Sequence, residues 1–264
     1  MNIFIHEWKS CRKSTLIWSL SLACLTILLF SMFPAIARDA EEFKSVLQGF
    51  PEPVRKAIGL EIDSIATLLG FYSYVFLYVS LCGAIQAMNL GTSLLTKEIL
   101  EKTADFLLTK PITRKQVLTS KLLAAVASLI ITNIFFITAA NIMASIVKTG
   151  SYSMSAFVLI SASLFLLQLI FLAIGILVSV IVPRIKSVLS VSLATVFGFF
   201  MLGIFGSAAG DEAMRYITPF KYFDPAYIVE NSAYEPAFLA LGAVIIVAAI
   251  SAVYYIYSKR DIAF

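Results

Sequence analysis

Residues 149–183 read TGSYSMSAFVLISASLFLLQLIFLAIGILVSVIVP, a run without one Asp, Glu, Lys or Arg. An α-helix rises about 1.5 Å per residue, so about 20 apolar residues cross the roughly 30 Å of hydrocarbon in a bilayer. This run is longer than that and meets no proline until Pro183. It predicts a membrane-spanning helix. A strand of a membrane barrel would instead alternate in polarity over about 10 residues.

Working outward, five more charge-free runs follow the same rule: residues 14–37, 64–96, 122–147, 187–210 and 236–258. Trimmed by their flanks, the six spans are expected near 15–36, 65–88, 122–146, 156–182, 187–205 and 237–257 of a single membrane domain covering 1–264. Composition agrees. Of the 264 residues 60% are hydrophobic and 14% charged, against about 25% charged in a soluble domain, so too few charges exist to build a water-facing surface. The fold class is an all-α membrane protein. Cys11 lies on a flank and Cys24 and Cys82 lie within spans, which gives no disulfide framework.

Lys and Arg resist translocation, so their distribution orients the spans. The N-terminal flank, the second and fourth connections and the tail hold 13 of the 20 basic residues and 5 of the 16 acidic ones. That side is predicted to be cytoplasmic, with both termini there. The net charge of +4 follows from this sorting, and no nucleic-acid partner is implied. Lys9 to Lys13, an apolar run and Ala35-Ile36-Ala37 mimic a cleavable signal peptide. The run outlasts the roughly 7–15 residues of such a signal, so an uncleaved first helix is expected.

Four segments outside the spans carry pattern. Residues 2–13 set Phe4, Ile5 and Trp8 against Asn2, His6, Lys9 and Lys13, which predicts a short helix in the cytoplasmic interface. From Lys97 to Lys121, Glu98, Glu101, Lys102 and Asp105 share one helical face while Leu95, Ile99, Phe106 and Leu107 take the other. Pro111 stops that helix. Thr113 and Gln116 then form a capping box that starts the third span. The other cytoplasmic connection is tiny, Pro183 to Lys186, so a partner pressing from that side would press on the Lys97–Lys121 segment. On the opposite side, Asp39 and Glu42 precede Phe43, Val46, Leu47 and Phe50 at helical spacing. The aromatics and prolines from Pro219 to Tyr227 predict an interfacial belt or a re-entrant turn.

The spans themselves exclude several chemistries. They contain no Asp, Glu, Lys, Arg or His, whereas gradient-coupled carriers hold such a group at mid-membrane. Gln86, Asn89, Asn133 and Asn141 are expected to bridge helices. His6 is the only histidine, so neither a metal site nor an intramembrane Ser-His pair is expected, and no catalytic residue is assigned. No GxxxxGK[ST] phosphate loop is present. Ser190, Ala194 and Gly198 recur every four residues on the fifth span. In-chain packing is the first expectation for this stripe and a dimer seam the second.

The stretch Glu101-Lys102-Thr103-Ala104-Asp105-Phe106-Leu107-Leu108-Thr109-Lys110-Pro111-Ile112-Thr113-Arg114, with Lys121 beyond it, resembles the inner-loop signature of type-2 ATP-binding-cassette transporter permeases. Lys102 stands where that signature has Gly, and Asp105 where it has Glu. His6-Glu7-Trp8-Lys9 before Ile17-Trp18 is similar to the family's opening. Phe50-Pro51-Glu52 through Gly59 resembles its first outer loop, and Thr218-Pro219-Phe220 with Tyr222-Phe223-Asp224-Pro225 its last. Lys259-Arg260-Asp261 resembles its close. The resemblance implies a permease in a prokaryotic inner membrane, paired with a second permease chain of the same or another kind. It also implies two cytoplasmic ATPase subunits that hold ATP and Mg, while this chain holds no cofactor. Glu98, Glu101, Lys102, Thr103, Asp105, Phe106, Pro111 and Arg114 would belong to the coupling helix that meets the ATPase. The alternative from the residues alone is a membrane anchor that recruits a cytoplasmic partner without transporting anything.

Overall fold

The computed structural model describes residues 3–51, 54–55, 64–100, 113–148, 150–182, 185–211 and 213–259. Among them all regular structure is helical, because a segment in hydrocarbon must satisfy its backbone N–H and C=O groups within itself. The helices are α1 (Ile3–Phe30), α2 (Phe33–Arg38), α3 (Ala40–Gln48), α4 (Leu68–Leu100), α5 (Arg114–Val147), α6 (Met154–Ile181), α7 (Val188–Ala209), α8 (Ala213–Ile217), α9 (Pro225–Asn231) and α10 (Pro236–Lys259), with a 3₁₀ turn over Pro219–Lys221. Six candidate spans run over Phe4–Arg38, Leu68–Thr96, Lys115–Val147, Met154–Ile181, Val188–Ala209 and Pro236–Lys259. The chain is a multi-pass membrane protein. Successive spans alternate in direction, so one end of the bundle, the near end, gathers the start of α1, the end of α4 and the start of α5. The far end carries α3, α8 and α9.

Several boundaries differ from the sequence expectation. No separate interfacial helix precedes the first span: Ile3–Phe30 is one helix, and neither proline nor glycine interrupts it. The break comes at Ser31–Met32, just before Pro34, which lacks the N–H that would continue the ladder. α4 runs on past residue 88 to Leu100, so Lys97–Leu100 form its last turn and do not begin a new helix. The capping box is present: Gln116 N–H donates to Thr113 Oγ1 at 3.3 Å, and the Gln116 side chain accepts from Thr113 N–H at 3.1 Å. Asp39 starts α3 without a side-chain capping bond. Of the predicted face, Leu47 is buried and Phe43 packs beside it, while Val46 and Phe50 are exposed.

Helices in lipid gain little from apolar burial, because the tails are as apolar as leucine, so close van der Waals approach has to hold them. The most extensive contacts join α4 to α6 and α1 to α5. A Cβ on Gly91 would lie 2.4 Å from Leu172 O, and one on Gly175 2.7 Å from Met88 O. The backbones of α4 and α6 meet there with no side chain between them. Toward the far end Tyr72 stacks on Phe157 at 4.4 Å and shares a 2.7 Å hydrogen bond with Ser161. Such an aromatic pair adds about 0.5–1.5 kcal/mol beyond its contact area.

At mid-span a buried polar chain joins four helices. Ser19 of α1 donates to Thr132 of α5 at 3.1 Å, and Gln86 of α4 donates to the same oxygen at 2.8 Å. Gln168 of α6 donates to Gln86 Oε1 at 3.2 Å and accepts from Asn133 Nδ2 at 2.6 Å. Gln86 and Asn133 thus bridge helices as their sequence positions predict, whereas Asn141 bonds Ile137 O in its own helix. Asn133 Oδ1 is buried without a hydrogen-bond partner among the described residues.

Candidate functional site

The far end holds a cavity of about 480 Å³ between α4, α6, α7 and the α7–α10 connection. Its shape comes from that connection, which does not lie flat. Gly210, in the left-handed region at φ 68°, ends α7. The chain then dips back through Pro219–Lys221, where the Phe220 ring stands 5.1 Å from Phe171 and 5.4 Å from Phe200. Phe200 lies nine residues inside the end of α7, about 13 Å of helix rise. The turn therefore packs back along α7 into the bundle. Gly203 makes room for it, since a Cβ there would come within 2.9 Å of Thr218 Cγ2.

The turn is clamped on its outer side. Arg215 pairs with Glu235 at 2.5 Å and lies 4.4 Å over the Phe238 ring. Tyr222 stacks on Phe238 and donates to Tyr216 O at 2.6 Å, while Tyr234 donates to Leu159 O at 2.7 Å. Asp224 caps α9 by accepting from Ala226 N–H at 3.1 Å. Thr218, Pro219, Tyr222 and Phe223 are all buried. The aromatic and proline pattern of this segment was visible in the sequence, but the cavity behind it was not.

Polar groups line the cavity on several sides. Ser73 and Ser80 come from α4, Ser163 from α6, Ser207 from α7, and Ser64 and Thr67 from the approach to α4. Lys221, Asp224 and Glu230 come from the α7–α10 connection, and Phe76, Leu77, Leu167 and Phe200 fill the apolar remainder. Burial holds the Lys221 ammonium below the usual lysine value; Asp224 partly opposes this and Arg215 adds to it.

At the near end a second cluster forms around Lys121, which is 3% exposed. Its ammonium lies 3.3 Å from the Glu7 carboxylate and 3.0 Å from Leu94 O. On another face of α5, Thr119 and Tyr254 share a 2.6 Å hydrogen bond that joins α5 to α10. Sequence reading placed Lys121 among the basic residues of a connection and missed its burial. Glu7, which stands near it in the fold, is more than a hundred residues away in the chain.

The remaining sequence candidates divide. Glu101, Lys102, Thr103, Asp105, Phe106 and Pro111 lie outside the described residues. Glu98 falls in the last turn of α4, and Arg114 is the first residue of α5. Phe4 and Trp8 are half-buried and Lys9 is exposed on the first turns of α1. Ser190, Ala194 and Gly198 are exposed on α7, and a Cβ on Gly198 would meet nothing within 4 Å. The stripe does not pack within the chain, because α7 presents its opposite face to the bundle through Ser192, Val196 and Phe200. Residues 1–262 match a family model described as ABC-2 family transporter protein. No match was found among curated proteins.

Proposed function

The chain belongs to the ABC-2 family of transporter proteins, and from that premise we propose that it is the permease subunit of an ATP-binding-cassette exporter. The family is a membrane component of transporters and not itself an ATPase. In our reading ATP and Mg are held by separate subunits on the cytoplasmic side, and the near end of the bundle faces them. A second permease chain, identical or different, completes the path in a prokaryotic inner membrane.

The observation that carries this reading is the buried Lys121 cluster. The connection 101–112 leaves from the end of α4 and returns at the start of α5, and Lys121 ties those two helices to Glu7 of α1. A push on the connection would therefore move three helices together, which is what a lever between an ATPase and a membrane path requires. A mere anchor has no need of a rigid joint at that place, or of a cavity at the other end.

The test is a reconstituted complex carrying Glu98→Lys, Glu101→Lys and Asp105→Lys together, since a single charge change is worth too little to read. ATP hydrolysis is expected to persist while export falls at least tenfold. Unchanged export would contradict the coupling role. Stable ATPase capture with no export by the unmodified chain would favour the anchor.

A further inference from the structure

The far-end cavity has a donor and acceptor inventory that specifies a ligand. Ser73, Ser80, Ser163 and Ser207 already donate to Leu69 O, Leu77 O, Ile160 O and Gly203 O of their own helices, at 2.7–2.9 Å. Their protons are committed, so toward the cavity they offer lone pairs. Asp224 and the exposed Glu230 add two carboxylates, the first partly engaged as a helix cap. Against these acceptors stands one ammonium, Lys221, and no carboxylate lies within 4.0 Å of it among the described residues.

A mostly buried cation without a close counter-ion is costly to keep. An anion brought to it would relieve that cost, while a lining rich in acceptors calls for a ligand that also carries N–H donors. Depth orders the rest. The Lys221 stem passes the Gly203 position at 4.0 Å, six residues inside the end of α7. Phe200 lies a further turn below, and Phe76, Leu77 and Leu167 line the apolar part.

We propose that this cavity holds an amphiphile with a zwitterionic headgroup, its anionic group on Lys221, its ammonium toward Glu230 and the oxygens of Ser73, Ser163 and Ser207, and its tail along Phe76, Leu77, Leu167 and Phe200. The assignment of this amphiphile as cargo rests on the permease reading; its binding does not. Binding is therefore read on the purified chain in a sugar-headed detergent with no ATPase present.

The probes are lysophosphatidylethanolamine, lysophosphatidylglycerol with the same tail, and free phosphoethanolamine, with affinities taken by native mass spectrometry. The first is expected to bind saturably and at least tenfold more tightly than the other two. Lys221→Gln is expected to weaken it at least tenfold and Lys221→Arg to restore it, with unfolding midpoints checking that each variant folds. Glu230→Gln, at an exposed position, provides an independent weakening should Lys221→Gln fail to fold. Equal binding by Lys221→Gln, or by the phosphoglycerol or tail-less probe, would overturn the proposal. Failure of export in the reconstituted complex, with this binding intact, would count against the permease reading alone.

Discussion

Lys121 and Glu7 form an ion pair of 3.3 Å between α5 and α1, with side chains only 4% and 16% exposed. Charges so far from water hold together only when paired and hydrogen-bonded, and Leu94 O supplies the further acceptor. The pair is a structural joint at the near end of the bundle.

Removing one partner leaves the other charged and mostly buried. Lys121→Met is expected to cost about 3–5 kcal/mol of stability. Lys44→Met, which removes an ion pair whose Glu41 partner is 91% exposed, is expected to cost under about 1 kcal/mol. Thermal unfolding in detergent separates the two. Equal losses would mean that the buried pair is not a joint.

The α4–α6 crossing makes a second contrast. Gly175→Ala places a methyl against Met88 O and Gly91 Cα, which are backbone atoms that cannot turn aside. It is expected to cost about 1–3 kcal/mol by forcing the helices apart. Gly198→Ala enters open space on α7 and is expected to leave stability unchanged. The same unfolding assay reads both.

Gln168→Leu removes the donor to Gln86 and the acceptor of Asn133 from the mid-span chain. Interhelical hydrogen bonds in membranes average about 0.6 kcal/mol and reach about 1.7. A loss within that range is expected, with Gln168→Glu worse because it buries a charge. A gain in stability from Gln168→Leu would show that the network is a cost kept for another purpose.

Burial pushes the Tyr234 hydroxyl up to about 12 from the ordinary tyrosine value of 10.0. The folded state thus holds this proton more tightly than the unfolded one. The resulting stability is complete below the unfolded value and is lost as pH rises through the folded one. Tyr234→Phe lacks the bond to Leu159 O, so it should be less stable than the parent at pH 8. That gap should close between pH about 10 and about 12. Denaturation midpoints across that range check it, and a constant gap would contradict it.

The spans were legible because charge avoidance over more than 20 residues has one physical cause. The Thr113–Gln116 cap and the bridging roles of Gln86 and Asn133 were legible too, because each follows from local chemistry. What the sequence concealed depended on contacts between distant segments. Gly83, Ala87 and Gly91 repeat every four residues on the second span just as Ser190, Ala194 and Gly198 do on the fifth. Only the former stripe meets another helix within the chain, through Gly91 against Gly175 and Gly83 against Leu164. A spacing rule cannot tell which small-residue face finds a partner. Lys121 likewise read as a flanking charge, because burial depends on where α1 lies.

The account stands on which side of the membrane the α4–α5 connection occupies, since an ATPase can drive it only from the compartment that holds ATP. The direct measurement is labelling of Asp105→Cys by a membrane-impermeant maleimide, in a background with Cys11, Cys24 and Cys82 replaced by Ser. The account predicts no labelling of intact cells and full labelling of inside-out vesicles. Labelling of intact cells would contradict it.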